Sequence, residues 1–162
     1  MKKNKRIFLN LFIIIFIFIF DQISKSYVIY YLDLNNKKIY LTSFLNLQLI
    51  WNEGIAFGLL SSDNNFFYNS ITLVIFFVII ILLFLIKKEK QYSYFYSMIV
   101  GGALGNFIDR IRYSSVPDFI DFHISNFHWF VFNIADIFVS LGVFCLIIAE
   151  IFFNKNKSNE KI

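Results

Sequence analysis

Seven polar residues stand within or beside long apolar runs of this chain: Asp21, Lys25, Asn106, Asp109, Arg110, Asn133 and Asp136. An ionisable group in lipid costs about 2.5–3.5 kcal/mol at the least, so its retention points to binding or catalysis. Several chemistries can be set aside. His123 and His128 lack the His-Glu-x-x-His spacing of a helical zinc site and have no cysteine cluster beside them, so no metal site is expected. Ser24 adjoins Lys25 but points to another part of the helix surface, a poor geometry for a Ser–Lys dyad, and no Gly-x-Ser-x-Gly elbow is present. What remains is chemistry by two carboxylates.

The spacing groups these residues. Asp21 and Lys25 are four apart with the acid N-terminal, the better orientation for an ion pair on one helix face. Asn106, Asp109 and Arg110 fall at i, i+3 and i+4, bringing an amide, a carboxylate and a guanidinium onto one face. Just before them, Gly101 and Gly105 form a small-residue face that lets another helix approach closely. Pro117, the only proline, biases Val116 toward extended backbone and so puts Asp118 outside a helix. Asp121, three residues on, is a rival for any role given to Asp118. Asn133 and Asp136, three apart, open the last apolar run, where the helix dipole favours an acid.

The elements that must position these groups are membrane spans. The 162 residues are 58% hydrophobic and 21% aromatic but only 16% charged, with a mean hydropathy of +0.65. A soluble domain of this size could not hide so much apolar surface. Four runs reach the roughly 20 residues a crossing requires: Ile7 to about Tyr31, about Phe66–Ile86, about Tyr94–Arg112 and about Trp129–Phe153. No small-residue cleavage site follows the first, so it reads as an uncleaved span. The net charge of +4 is not a nucleic-acid footprint. Its positive residues cluster at 2–6, 87–90 and 155–161, which by the positive-inside rule puts both termini and the middle loop in the cytoplasm.

With that orientation the polar residues collect at the outer edge. Asp136 lies about 25 Å from the cytoplasmic end of its run at a rise of about 1.5 Å per residue. A proton relay or small transporter would instead place acids at several depths, and a purely structural four-span protein is a third possibility. In the first outer segment Leu45, Leu47, Leu49 and Trp51 alternate with Asn46, Gln48 and Ile50, the period of a half-buried strand. A turn at Asn52–Gly54 and a short return strand at Ile55–Phe57 are expected to follow, giving a small sheet on the membrane surface. Residues 1–153 read as one domain and 154–162 as a polar tail. Cys145, the single cysteine, reads as a small buried hydrophobe.

Five stretches, in this order and spacing, resemble the lipoprotein signal peptidases (signal peptidase II): Asp21-Gln22-x-x-Lys25, Asn52-x-Gly54-x-Ala56-Phe57, Gly101 to Arg110, Val116-x-Asp118-Phe119 and Phe132-Asn133-x-Ala135-Asp136. The resemblance spans about residues 6–153. It implies a mainly α membrane protein with four transmembrane helices, a small extracytoplasmic sheet cradle and a short surface helix. It also implies a bacterial inner-membrane aspartyl endopeptidase that cuts prolipoproteins just before a diacylglyceryl-cysteine and binds the cyclic lipopeptide globomycin. By matching motifs, Asp118 and Asp136 take the place of the catalytic pair. Asp21, Lys25, Asn52, Asn106, Arg110 and Asn133, with Gly54, Asp109 and Ala135 in the same motifs, match residues that support the site or its ligand. No metal or organic cofactor is implied.

Overall fold

The computed structural model describes residues 3–33, 38–53, 65–125 and 127–159. Helix α1 (Lys3–Val28) ends in a π-helical turn over Ile29–Asp33. Strands β1 (Ile39–Tyr40) and β2 (Leu45–Asn52) follow, then α2 (Asn65–Lys88), α3 (Ser93–Tyr113), the hairpin β3 (Val116–Ile124) and β4 (Phe127–Phe132), and α4 (Ile134–Asn159). The expected return strand at Ile55–Phe57 lies outside the described residues, as does Gly54. Among the described residues there is no separate short surface helix.

Among the described residues three helical stretches, Asn4–Leu32, Tyr68–Lys88 and Ile134–Phe152, are long and apolar enough to cross a membrane. Their outer faces carry exposed Phe8, Phe12, Phe16, Phe77, Phe84 and Phe144, which only a lipid surround makes tolerable. The third expected span, α3, is long enough at about 31 Å but too polar to be marked by apolarity. Its place in the bundle explains how it can be so. It packs against α1, α2 and α4 together, and they shield it.

Lipid tails are as apolar as leucine, so helices in a bilayer associate through close packing and polar contacts rather than through the hydrophobic effect. The glycines of α3 supply the close packing. A Cβ on Gly101 would strike Ile17 and the Ile14 carbonyl of α1, and one on Gly105 would strike the Asp21 carboxylate. A Cβ on Gly102 would strike the Ala135 carbonyl of α4. The Gly101/Gly105 face thus meets α1, and the adjacent Gly102 admits α4. Ile79, Leu82, Ile99 and Val100 form the buried centre between α2 and α3.

The four strands form one antiparallel sheet in the order β1-β2-β3-β4. It sits on the bundle through Val28, Leu32 and Phe119, with Leu47, Leu49, Ile120 and Ile134 around them. Two register shifts shape it. The β2–β3 pairing moves by one residue between Leu47 and Ile50, and the β3–β4 pairing between Phe122 and His123. Such bulges reverse the inward and outward alternation of side chains. In β2 the expected apolar inner face is consequently not the most buried one: Asn46 is buried, while Trp51 is exposed.

The fourth expected span also begins later than its apolar run. Trp129–Phe132 belong to β4, and α4 starts at Ile134. Asn133 caps it. Its Oδ1 accepts the Asp136 N–H at 3.1 Å, and its own N–H donates to Asp136 Oδ2 at 3.1 Å, a reciprocal capping box. At the other end α4 runs on to Asn159, into the segment expected to form a polar tail.

Candidate active site

The C-terminal ends of α1 and α3, the start of α4 and strand β3 converge where the sheet meets the bundle. Lys25 is the hub. Its Nζ donates to Asp21 Oδ2 at 2.7 Å, Asp109 Oδ2 at 2.7 Å and Asn106 Oδ1 at 2.8 Å. All three charged groups are at most 2% exposed. The i, i+4 pair expected from the sequence is therefore present, with a second carboxylate from α3 completing a triad. Asp21 Oδ1 accepts the Ala135 N–H at 2.9 Å, so the same acid ties α1 to the first turn of α4. Gln22 adds donors to Asp109 Oδ1 at 3.1 Å and to the Gly105 carbonyl at 3.4 Å.

From this triad a chain of amides leads to two further acids. Asn106 Nδ2 donates to Asp136 Oδ1 at 2.8 Å. Asn133 Nδ2 donates to Asn106 Oδ1 at 3.2 Å and to Asp118 Oδ1 at 2.6 Å. Asn52 Nδ2 closes the other side of Asp118 at Oδ2, 2.8 Å away. Asp118 and Asp136 are thus joined through Asn133 and Asn106, although one comes from a strand and the other from a helix start. Burial first, and the Asp136 charge second, push the Asp118 carboxyl up to about 6, while hydrogen bonds from Asn52 and Asn133 pull the other way.

Arg110, on the face shared with Asn106, reaches the Asn106 carbonyl at 3.5 Å with Nη1. Its Nε is buried without a partner among the described residues. Of the expected site residues the structure therefore brings together Asp21, Lys25, Asn52, Asn106, Asp109, Arg110, Asp118, Asn133, Ala135 and Asp136.

The rival acid, Asp121, goes elsewhere. Three positions along a strand reverse the face, and the bulge in β2 reverses it for Asn46 relative to Asn52. Asp118 therefore meets Asn52, and Asp121 meets Asn46. Two features escaped the sequence reading. Gln22 was quoted in a motif but given no role, although its place three residues before Lys25 is a signal. The company of Asp121 was missed as well: His128 Nδ1 lies 2.7 Å from its Oδ1, and the His123 ring stacks on that of His128.

A shielded polar helix within a lipid-facing bundle, with linked carboxyls under a sheet at its end, defines a membrane-embedded enzyme. Two solved bacterial membrane enzymes, determined by the in meso method at 2.3 and 1.9 Å resolution, have this fold. They match with TM-scores of 0.76 and 0.67, each at 35% identity, covering 92% and 87% of this chain and 91% of each of theirs. The chain belongs to the signal peptidase II family, whose sequence profile, described as "Signal peptidase (SPase) II", matches residues 13–152. It is 54% identical over 159 residues to the lipoprotein signal peptidase of Pelagibacter ubique (strain HTCC1062), covering 97% of this chain and 96% of that one. It is 40% identical over 151 residues to that of Coxiella burnetii (strain Dugway 5J108-111), covering 91% and 92%. It is accordingly a bacterial membrane protease of lipoprotein maturation, acting in removal of the signal peptide.

Proposed function

We propose that this protein is an aspartyl endopeptidase that cleaves diacylglyceryl-modified prolipoproteins just before the lipidated cysteine, with Asp118 and Asp136 as its catalytic pair. The observation that carries the reading is the amide bridge of Asn133 and Asn106, which holds the two acids beside each other where the sheet meets the bundle. Asp136, with a donor on each oxygen, serves as the base that draws a proton from water. Asp118, pushed up to about 6, carries the resting proton, polarises the scissile carbonyl and then protonates the leaving amine. The Nε of Arg110, without a partner among the described residues, is a donor for a carbonyl of the bound peptide. Globomycin-type lipopeptides would compete for this space, and membrane lipid would receive the substrate's acyl chains.

The protonation assignment has a directional test. Asp118 is protonated below about pH 6 and ionised above it, so the single-proton state of the free enzyme is lost as pH rises through that region. The alkaline limb of kcat/KM lies there, because that ratio reports the free enzyme. The Asn52 hydrogen bond favours the ionised form. Asn52→Ala therefore raises the Asp118 pKa and moves the limb to higher pH, and a limb that stays put or moves down would assign the proton to the other acid.

We also propose that both termini are cytoplasmic and that the site opens on the extracytoplasmic side, which is where the three basic clusters point. With Cys145 first replaced by Ala, a cysteine at the exposed Ser125 reacts with a membrane-impermeant thiol reagent in spheroplasts, and one at the exposed Gln91 does not. Labelling at Gln91 alone would invert the protein.

A further inference from the structure

Beyond the carboxyl pair, one cluster of ligating side chains among the described residues remains unused: Asp121 and His123 on β3 and His128 on β4. One ligand atom from each lies within 4.8 Å of the other two. The hairpin register makes the cluster, because His123 and His128 are direct cross-strand partners and their rings stack with centroids 5.1 Å apart. Asp121 Oδ1 is 2.7 Å from His128 Nδ1. We infer that this cluster is a zinc site, separate from the catalytic pair, in which Asp121, His123 and His128 supply three ligands and the fourth position is open to water.

Each ligand is prepared for that role. Asp121 is fully buried, and its second oxygen, Oδ2, is taken up by Asn46 Nδ2 at 3.4 Å and by Lys38 Nζ at 3.4 Å. That fixes the carboxylate plane and leaves Oδ1 toward the histidines, the orienting support that ligating carboxylates ordinarily have. His123 is buried, whereas His128 is 46% exposed in its side chain and opens a path from water. Asn46, whose amide also lies 3.3 Å from His123 Nδ1, has a buried Oδ1 with no partner among the described residues.

Bonds of about 2.0–2.1 Å in a tetrahedral arrangement put ligand atoms about 3.3 Å apart. The three ligand atoms already lie within 4.8 Å of one another, and His128, on the hairpin beside the left-handed Ser125, would exchange its 2.7 Å contact with Asp121 Oδ1 for a bond to the ion. Two histidines and one carboxylate are a donor set suited to zinc. Asp121 lies three residues, about 10 Å of strand, beyond Asp118 and on the opposite face. The ion would pin β4 to β3 and so steady the strand that carries Asp118, without touching the reacting atoms.

Untagged full-length protein in detergent, stripped with a chelator that is then removed, is titrated with zinc chloride by calorimetry, and its melting temperature is followed with and without zinc. The expected result is one saturable site per chain at micromolar affinity or tighter, with a rise in melting temperature on adding zinc. His128→Gln and His123→Ala each weaken binding by about 100-fold or more and remove the zinc-dependent rise, while Asp118→Asn binds like the wild type. No saturable site, binding unchanged in both histidine variants, or binding lost in Asp118→Asn would each overturn the inference. None of these readouts involves cleavage of a substrate.

Discussion

Asp118→Asn and Asp136→Asn each lower the rate of signal-peptide removal by about a thousandfold or more, the scale of losing a positioned general acid or base. The amide is close in shape to the acid. In Asp136→Asn its carbonyl oxygen still accepts the Asn133 N–H, so the reciprocal cap that starts α4 survives. Both variants should insert in the membrane and remain folded, each giving up one of the two hydrogen bonds its carboxyl accepts, which separates lost chemistry from lost structure. Initial rates on purified protein, read beside circular dichroism and thermal melts, check this. Turnover near wild type in either variant would remove that acid from the mechanism.

Lys25→Met has the largest expected effect on folding. Among the described residues Lys25 is the only cation bonded to both Asp21 and Asp109, and these are 0% and 1% exposed. Removing one partner from a buried ionic cluster costs about 3–5 kcal/mol, because the charge left behind has neither water nor a partner. Two uncompensated carboxylates between α1 and α3 would separate the helices that Gly101 and Gly105 bring together. The expected outcome is loss of folded protein from detergent extracts. Replacing all three residues, as Asp21→Asn, Lys25→Met and Asp109→Asn together, restores part of the yield, since a neutral cluster carries no unpaired charge. Equal yields of wild type and Lys25→Met would show that the triad contributes little to assembly.

How far the site was legible depended on how each contact is made. Asp21 and Lys25 share one helix, so a fixed period places them together, and the structure shows that pair at 2.7 Å. The Asn106, Asp109 and Arg110 face was legible for the same reason, as was strand β2 from its alternation. The β4–α4 boundary was not, because apolar residues run unbroken from Trp129 through Phe132 and a hydrophobic strand looks like the start of a span. The signal that marks it is the cap, Asn133-x-x-Asp136, which was read as two groups on one helix face. The division between Asp118 and Asp121 was hidden more deeply. It depends on one-residue register shifts in β2 and β4, which no single-strand pattern reveals. The meeting of His123 and His128 likewise depends on hairpin register rather than helical spacing, so excluding a His-Glu-x-x-His site left it untouched.

The most direct measurement is cleavage by the purified protein of a synthetic prolipoprotein peptide whose cysteine carries diacylglycerol, beside the same peptide without the lipid, with the cut located by mass spectrometry. A carboxyl-pair peptidase working where the sheet meets the bundle predicts one cut, on the N-terminal side of the lipidated cysteine. That cut should be much slower on the lipid-free peptide and absent with Asp118→Asn. No cleavage of the lipidated peptide, or equal cleavage by wild type and Asp118→Asn, would contradict it.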